Sequence, residues 1–462
     1  MEYLIRFVQT HETFRRPETE AIAELYGLPL EWVIYDEDSP FAILRFPRHP
    51  NPIHAARLLI SRSILSTAIY ELWGSGTTYP TLHTDVRQRT AALWDQYSDS
   101  SFRFELDTYR GHRRSADAQR QIFDSFAYMA FRGPISLADP EVRFRVFESS
   151  PLDDPTPTRL FLGRWIADSA RRIATGTYSL KRRTHIATTS MDAELALVTA
   201  NLALARPGGL VYDPFMGTGS FPLACAHFGA VVWGSDLDGR TIRGPAKGGK
   251  GRGVRANFDQ YGTTHSYLGG FIADLTNSPV RRDVNVQGFL DAVVCDPPYG
   301  VREGLRVLGS SRAGSGEVVY LSDGTPAHLQ EGYIPPKKAY SFVRMLEDIL
   351  DFAAERVVEG GRVCMWMPGA GEEEHDYAIP QHPALRLMSI CQQDFNKWSR
   401  RLLTYTRRSV DEVDESEVLA YRVRRAALSD EEDRGNGKVT ADDLNAFRRK
   451  YFQGFKDVAG AS

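Results

Sequence analysis

Cysteine is scarce, with four in 462 residues, at Cys225, Cys295, Cys364 and Cys391. None forms a C-x-x-C pair and no spacing suits zinc. That argues against a disulfide framework and a structural metal, and it predicts a reducing, cytoplasmic or nuclear setting. Long apolar runs are missing as well. The best, such as Phe289 to Cys295, suit buried strands and fall short of a bilayer span, so no membrane is expected. Neither charge sign dominates: 56 Lys and Arg against 59 Asp and Glu give a formal net charge of -3. Only local clusters can therefore speak for a nucleic-acid partner. The stretch Met1 to Pro17 alternates apolar and charged residues and has no signal-peptide core. With 42% hydrophobic and 25% charged residues, the composition is globular, and the length predicts two or three domains.

What is present first is an element order. Tyr3 to Val8 reads as a strand and Pro17 to Gly27 as a helix, with proline in its first turn and glycine at its stop. Trp32 to Tyr35 and Phe41 to Phe46 read as strands, Ile53 to Ile64 as a helix and Ala68 to Trp73 as a strand. The order β-α-β-β-α-β predicts a ferredoxin-like unit over residues 1–76. A second small α/β unit, 77–158, follows, with helices at Leu82 to Tyr97 and Ser115 to Met129 and strands at Phe102 to Tyr109 and Val142 to Glu148. Residues 159–189 read as a linker segment. From about Ser190 longer strands, apolar on both faces, alternate with helices: Leu210 to Phe215, Ala230 to Asp236, Tyr267 to Asp274, Phe289 to Asp296 and Arg362 to Met367. That pattern predicts a doubly wound, mainly parallel α/β sheet over 190–408, with Trp398 to Arg407 as a final antiparallel strand. The remaining 409–462 form a charged tail. Its Asp433 to Gly437 suggests a calcium loop, but Arg434 would then sit among the ligands and Asp443 would replace the closing glutamate, so a solvated turn is expected.

Two motifs carry chemistry. Asp213-Pro214-Phe215-Met216-Gly217-Thr218-Gly219-Ser220 follows an apolar strand and opens a helix. Glycines there let backbone N–H groups approach a ligand at the carboxyl edge of the sheet, and Asp236 ends the next strand, where a carboxylate can hold ribose hydroxyls. A dinucleotide needs G-x-G-x-x-G, but Pro222 stands three residues beyond Gly219, and Asp213 would repel a pyrophosphate. A cationic group, such as the amino end of S-adenosylmethionine, fits better. The second motif, Asp296-Pro297-Pro298-Tyr299, ends another apolar strand. Two prolines stiffen the backbone and leave carbonyl acceptors, while Tyr299 offers a flat face. An exocyclic amine on a nucleobase is a poor nucleophile. Accepting its two hydrogens at Asp296 and the Pro297 carbonyl aims its lone pair, and stacking on Tyr299 fixes the approach line.

These strings resemble known families. Asp213 to Ser220 resembles the first motif of class I S-adenosylmethionine-dependent methyltransferases, and Asp296 to Tyr299 resembles the (D/N/S)PP(Y/F/W) motif of their amino-methylating branch. The blocks Thr189 to Glu194, Val211 to Gly219, Gly234 to Gly239, Ala256 to Phe258, Asp296 to Gly304 and Pro335 to Phe342 are similar to the eukaryotic tRNA (guanine-10-N2)-methyltransferase family, whose members add an N-terminal ferredoxin-like region and a THUMP domain. The resemblance implies S-adenosylmethionine as cofactor. Asp213, Phe215, Gly217, Gly219 and Ser220 would line its methionine end. Asp236 (or, second, Asp238) would bind ribose and Asp274 the adenine amine, with Ser190 and Met191 closing the pocket. Asp296, Pro297, Pro298 and Tyr299 would hold the guanine amine. It also implies tRNA as substrate and a heterodimer with a small zinc-binding activator protein, with the strand Tyr267 to Ala273 as its docking edge. Residues Lys247 to Arg255 depart from the pattern as a glycine-rich basic insertion.

RNA contacts are expected from Arg110, His112, Arg113 and Arg114 and from Lys181, Arg182 and Arg183, two basic clusters able to neutralise phosphates. The competing readings are an adenine-N6 methyltransferase, since DPPY does not choose the ring, and a non-catalytic RNA-binding scaffold that keeps the fold. A nicotinamide oxidoreductase is disfavoured by the broken pyrophosphate fingerprint.

Overall fold

The computed structural model describes all residues except 153, 155, 245–251, 282–287, 302–304, 310–317, 331–332, 334, 370–377, 396–397 and 435–462. The chain forms two compact units, Met1–Ala174 and Thr175–Ser462.

The first unit begins with β1 (Tyr3–Phe7), α1 (Glu12–Leu25), β2 (Glu31–Ile34), β3 (Phe41–Arg45), α2 (Pro52–Arg62) and β4 (Ser66–Gly76). Alternating apolar residues fold these into the expected β-α-β-β-α-β order, with β1 between β3 and β4 and antiparallel to both. Helix α1 starts at Glu12, so Pro17 lies inside it and not in its first turn. Next come α3 (Tyr79–Thr90), β5 (Phe102–Tyr109), α4 (Ala116–Asp124, capped by the Ser115 side chain), β6 (Val142–Ser149), β7 (Arg159–Asp168) and α5 (Arg171–Thr177).

Two expectations are corrected here. The two small α/β units share one seven-stranded sheet, β2-β3-β1-β4-β7-β6-β5. The segment read as the start of a linker supplies β7, which pairs antiparallel with both β4 and β6. The joint rests on buried chemistry that the linker reading overlooked. Gly163 lies against Tyr70, where a Cβ would come within 2.7 Å. Arg164 Nε donates to Glu71 Oε2 at 2.6 Å, and the same oxygen accepts from the indole of fully buried Trp73 at 2.9 Å.

A second buried carboxylate organises the turn between α2 and β4. Glu18 is 0% exposed and accepts the Ile64 N–H at 2.9 Å, the Leu65 N–H at 3.0 Å and the Ser63 hydroxyl at 3.0 Å. Glu18→Ala strands these donors, so the first unit is expected to lose about 3 kcal/mol, read as a lowered thermal midpoint. An unchanged midpoint would dismiss Glu18 as an organiser.

The second unit contains α6 (Ala193–Leu202), β8 (Leu210–Asp213), α7 (Ser220–His227), β9 (Val231–Asp236), α8 (Gly239–Arg243), α9 (Val254–Gln260), β10 (Tyr267–Ile272) and β11 (Leu290–Cys295). A short ribbon, β12 (Arg306–Leu308) with β13 (Lys337–Ala339), precedes α10 (Phe342–Arg356), β14 (Val357–Gly369), β15 (Leu385–Asp394), β16 (Ser399–Arg407) and α11 (Glu415–Arg434). The sheet order is β10-β9-β8-β11-β14-β16-β15. Strands β10 through β14 are parallel, and β16 runs antiparallel to both neighbours. Buried on both faces, the central strands are mostly apolar, as in LDAVVC of β11, where Asp291 near the start is the one charge. Helices α6 and α7 bury almost every residue, and Trp366 of β14 donates its indole N–H to Thr199 of α6 at 3.2 Å.

The order reverses between β8 and β11, which opens a crevice at their carboxyl ends, where open α/β sheets bind ligands. The final strand was expected, but its outer neighbour β15 was not. Part of the supposed tail is helix α11, held to α10 by Arg425 on Asp348 and Asp351 and by Arg422 on Glu355. Positions 432–434 of the supposed calcium loop end this helix, and the rest lies outside the described residues. No helix among the described residues is long and apolar enough to cross a membrane.

Candidate functional site

The loops after β8, β9 and β11 converge on a cavity of about 790 Å³. Its first wall is the turn after β8. Gly217 and Gly219 take φ of 51° and 82°, a left-handed backbone that favours glycine. The turn is fixed to the next strand twice: Met216 N–H donates to the Ser235 carbonyl at 2.8 Å, and Gly217 N–H to Asp236 Oδ2 at 2.9 Å. Phe215, Gly217, Ser220 and Asp236 line the cavity. Gly219 does not; it caps α7 and lies against Val254, where a Cβ would come within 2.8 Å.

Asp213, expected to line the methionine end, does not line the cavity; it sits beneath this turn and is 1% exposed. Its Oδ1 accepts the Phe215 N–H at 2.9 Å, while its buried Oδ2 has no hydrogen-bond partner among the described residues. Burial pushes its pKa well above the usual carboxylate range. The Phe215 N–H opposes this and the nearby Asp236 and Asp296 carboxylates add to it. An ionised Asp213 therefore calls for a cation.

Ser190 and Met191 lie on the cavity wall ahead of α6. The Ser190 and Thr218 hydroxyls are 2.7 Å apart, and the Ser220 hydroxyl donates to the Met191 carbonyl at 3.1 Å. Asn257, fully buried, bridges the segment to the glycine turn by donating to the His185 carbonyl at 2.8 Å and the Thr218 carbonyl at 3.2 Å.

The loop after β11 forms the other wall. Asp296, Pro297, Pro298 and Tyr299 all line the cavity. The Tyr299 hydroxyl donates to Asp296 Oδ1 at 2.5 Å, which orients the carboxylate. Burial, then the Asp296 charge, raises the Tyr299 pKa well above normal, so the phenol keeps its proton. Residues 302–304, the end of the longer matching string, lie outside the described residues, as do 247–251 of the basic insertion.

Asp274 is placed differently from expectation. It does not line the cavity. Its Oδ1 accepts the Thr276 N–H at 3.0 Å and its Oδ2 the Leu308 N–H of β12 at 2.6 Å. It braces the ribbon to the end of β10. Asp238 does reach the cavity but is engaged by Arg240, Oδ2 to Nη2 at 2.6 Å.

The basic clusters separate by role. Arg110, His112, Arg113, Lys181 and Arg182 are exposed. Arg114 instead forks onto buried Glu148, with two bonds of 3.1 Å. Arg183 is buried and donates to the Ser220 hydroxyl at 2.7 Å, so it braces the start of α7 and cannot reach a phosphate there. The sequence reading also missed residues that arrive from far along the chain. Phe395 and Trp398, whose rings stack 4.4 Å apart at 13°, line the cavity from the β15–β16 connection together with Arg400. Trp398 meets Tyr299 edge-on at 6.4 Å. No local motif announces them, because only the antiparallel return of β16 brings them to the site.

Comparison with known proteins agrees with this geometry. Residues 1–171 match the family model described as the Tmrp11 THUMP N-terminal domain. The tRNA (guanine(10)-N(2))-methyltransferase of Saccharomyces cerevisiae is 40% identical over 417 residues, covering 88% of this chain and 93% of the yeast protein. Its Schizosaccharomyces pombe counterpart is 36% identical, covering 88% of this chain and 89% of its own length. The human tRNA (guanine(10)-N(2))-methyltransferase TRMT11 is 32% identical over 469 residues, covering 98% of this chain and 95% of the human protein.

Proposed function

The chain belongs to the tRNA (guanine(10)-N(2))-methyltransferase family, and from that premise we propose how its residues carry out methyl transfer from S-adenosylmethionine to the N2 amine of guanosine 10 in tRNA. The observation that carries the reading is the convergence of two differently built walls on one cavity: a glycine turn over a buried carboxylate, and Asp296-Pro297-Pro298-Tyr299.

The residues present fit the cofactor. The unpartnered Asp213 Oδ2 suits a positively charged amino group, and Asp236, half-buried on the cavity wall, suits ribose hydroxyls. Phe215, Gly217, Ser220, Ser190 and Met191 complete that end. Once bound, S-adenosylmethionine supplies an electrophilic methyl group on a sulfonium sulfur. The chain's own part is placement. Asp296 and the Pro297 carbonyl accept the two hydrogens of the guanine amine, so its lone pair points along the cavity. Tyr299 stacks against the ring, and its hydroxyl donates to the Asp296 carboxylate. Gaining the methyl group makes the amine cationic and acidic, and its proton then passes to the Asp296 carboxylate, so Asp296 needs no raised basicity beforehand. A guanine stacked in folded tRNA has to be extruded to reach Tyr299. The first unit, with exposed Arg110, His112 and Arg113, grips the tRNA and fixes the register, and Lys181 and Arg182 add phosphate contacts. The protein acts in the cytoplasm.

A small zinc-binding activator completes the enzyme by docking on β10. Among the described residues this strand is an edge of the second sheet, and it exposes Leu268 (65%) and Ile272 (53%) along a side with no neighbouring strand, an edge that invites strand addition. Leu268→Asp is expected to abolish co-purification with the activator while leaving the fold intact. Phe271 is a poorer site for this test because it packs on Trp233. Undiminished binding of the Leu268→Asp chain would move the interface elsewhere.

The function itself is tested with labelled S-adenosylmethionine and bulk tRNA, with and without the activator, followed by nucleoside analysis. Label is expected in N2-methylguanosine. Label in N6-methyladenosine would transfer the assignment to the adenine ring, and failure to bind cofactor would favour a scaffold.

A further inference from the structure

Four cations line the cavity among the described residues: Arg240, Arg306, Lys337 and Arg400. Three are engaged. Arg240 is paired with Asp238, Lys337 Nζ donates to the Leu237 carbonyl at 3.3 Å, and Arg400 donates to Gln393 at 2.6 Å and lies 4.8 Å from the Trp366 ring centre. Arg306 is exposed and has no acceptor among the described residues.

Yet Arg306 is not carried on a loose loop. It opens β12, which pairs with β13 from Arg306↔Ala339 to Leu308↔Lys337. The flanking Leu305 and Val307 are buried in the core beneath the sheet. Leu308 is fastened to the buried Asp274 carboxylate. A strand of three residues is anchored on one face by Leu305 and Val307 and along its edges by β13 and Asp274, and its guanidinium, unpaired among the described residues, lines the cavity. It lies seven positions after Tyr299, on the chain that leaves the base-binding wall, whereas Asp213 and the glycine turn mark the cofactor end.

We propose that Arg306 is a phosphate-binding residue that clamps the backbone beside the extruded guanosine, with the β12–β13 ribbon as its rigid mount and Asp274 as the positioning residue beneath. This rests on the assignment of an RNA substrate. An extruded base needs its sugar-phosphate held outside the pocket, and a planar guanidinium meets phosphate oxygens in a fork. A cofactor carboxylate is the other anion that could approach, and the test separates the two.

The full-length chain is compared with Arg306→Gln and Arg306→Lys in three measurements: S-adenosylmethionine affinity, affinity for an unmodified tRNA transcript across a salt series, and kcat with KM for that tRNA. Arg306→Gln is expected to keep cofactor affinity, to weaken tRNA binding several-fold, and to lower the log–log salt slope by about 0.7, one single-strand phosphate contact. KM for tRNA should rise more than kcat falls, and Arg306→Lys should recover the slope. An unchanged slope in Arg306→Gln, beside a wild-type chain that binds and methylates tRNA, would overturn the clamp alone. Loss of cofactor affinity with an intact slope would reassign Arg306 to the cofactor carboxylate. A wild-type chain that neither binds nor methylates tRNA would overturn the substrate assignment instead.

Discussion

Asp296→Ala is expected to cut turnover by about 10²- to 10⁴-fold while leaving S-adenosylmethionine affinity within about twofold of the parent, the scale set by removing one group that stabilises developing charge or moves a proton. The separation follows from position. Asp296 directly follows β11 on the base-binding wall, and the groups fitted to the cofactor come from the turns after β8 and β9. Alanine removes the acceptor for one amine hydrogen and also releases the Tyr299 hydroxyl, which donates to Asp296 Oδ1. The stacking face then loses its tether, so the lone pair and the ring plane are both misaimed. Asp296→Asn should be milder, about tenfold, because its amide can still offer an oxygen to the amine if the Tyr299 hydroxyl turns to accept from the Asn nitrogen. Single-turnover rates with saturating tRNA, set beside equilibrium cofactor binding, check this. Near-normal turnover in Asp296→Ala would remove the carboxylate from the mechanism, and a parallel loss of cofactor binding would mean that the two walls are not independent.

How much of this was legible in the sequence depended on whether a residue's role is local. The β-α-β-β-α-β order was readable because strand and helix periodicities differ within short windows. The glycine turn and the Asp-Pro-Pro-Tyr loop were readable because consecutive residues build them. Strand β7 was not, since its evidence is its partners: Gly163 against Tyr70, and Arg164 on Glu71, residues about ninety positions away. Helix α11 looked like a solvated tail because its arginines find their carboxylates on α10, far upstream. The same blindness ran the other way for Arg183 and Asp274. Each sits where a functional charge is plausible, and folding has committed each to holding a loop. Phe395 and Trp398 reach the cavity only through the register of an antiparallel strand that no motif specifies.

Asp213→Asn should separate stability from function in opposite directions. Burial raises the folded-state pKa of Asp213 above its ordinary value, with Asp236 and Asp296 adding to the shift. Between the unfolded and folded values the native chain therefore binds more protons than the unfolded chain, and stability falls as pH climbs through that interval. Above it, the ligand-free protein carries a buried charge whose Oδ2 has no partner among the described residues. Asparagine fills the same volume without charge and can still accept the Phe215 N–H. Ligand-free Asp213→Asn is thus expected to melt no lower than the parent at pH 8, and higher if the burial cost dominates. Its affinity for S-adenosylmethionine should nevertheless fall by about ten- to a hundredfold, the worth of one hydrogen bond to a charged group. In the parent, cofactor affinity should weaken as pH falls and Asp213 takes up its proton, and this dependence should flatten in the variant. Melting and cofactor titrations across pH measure both halves. A variant that keeps parental affinity would show that the carboxylate is structural, and one that melts lower at pH 8 would show that its charge is already compensated in the free protein.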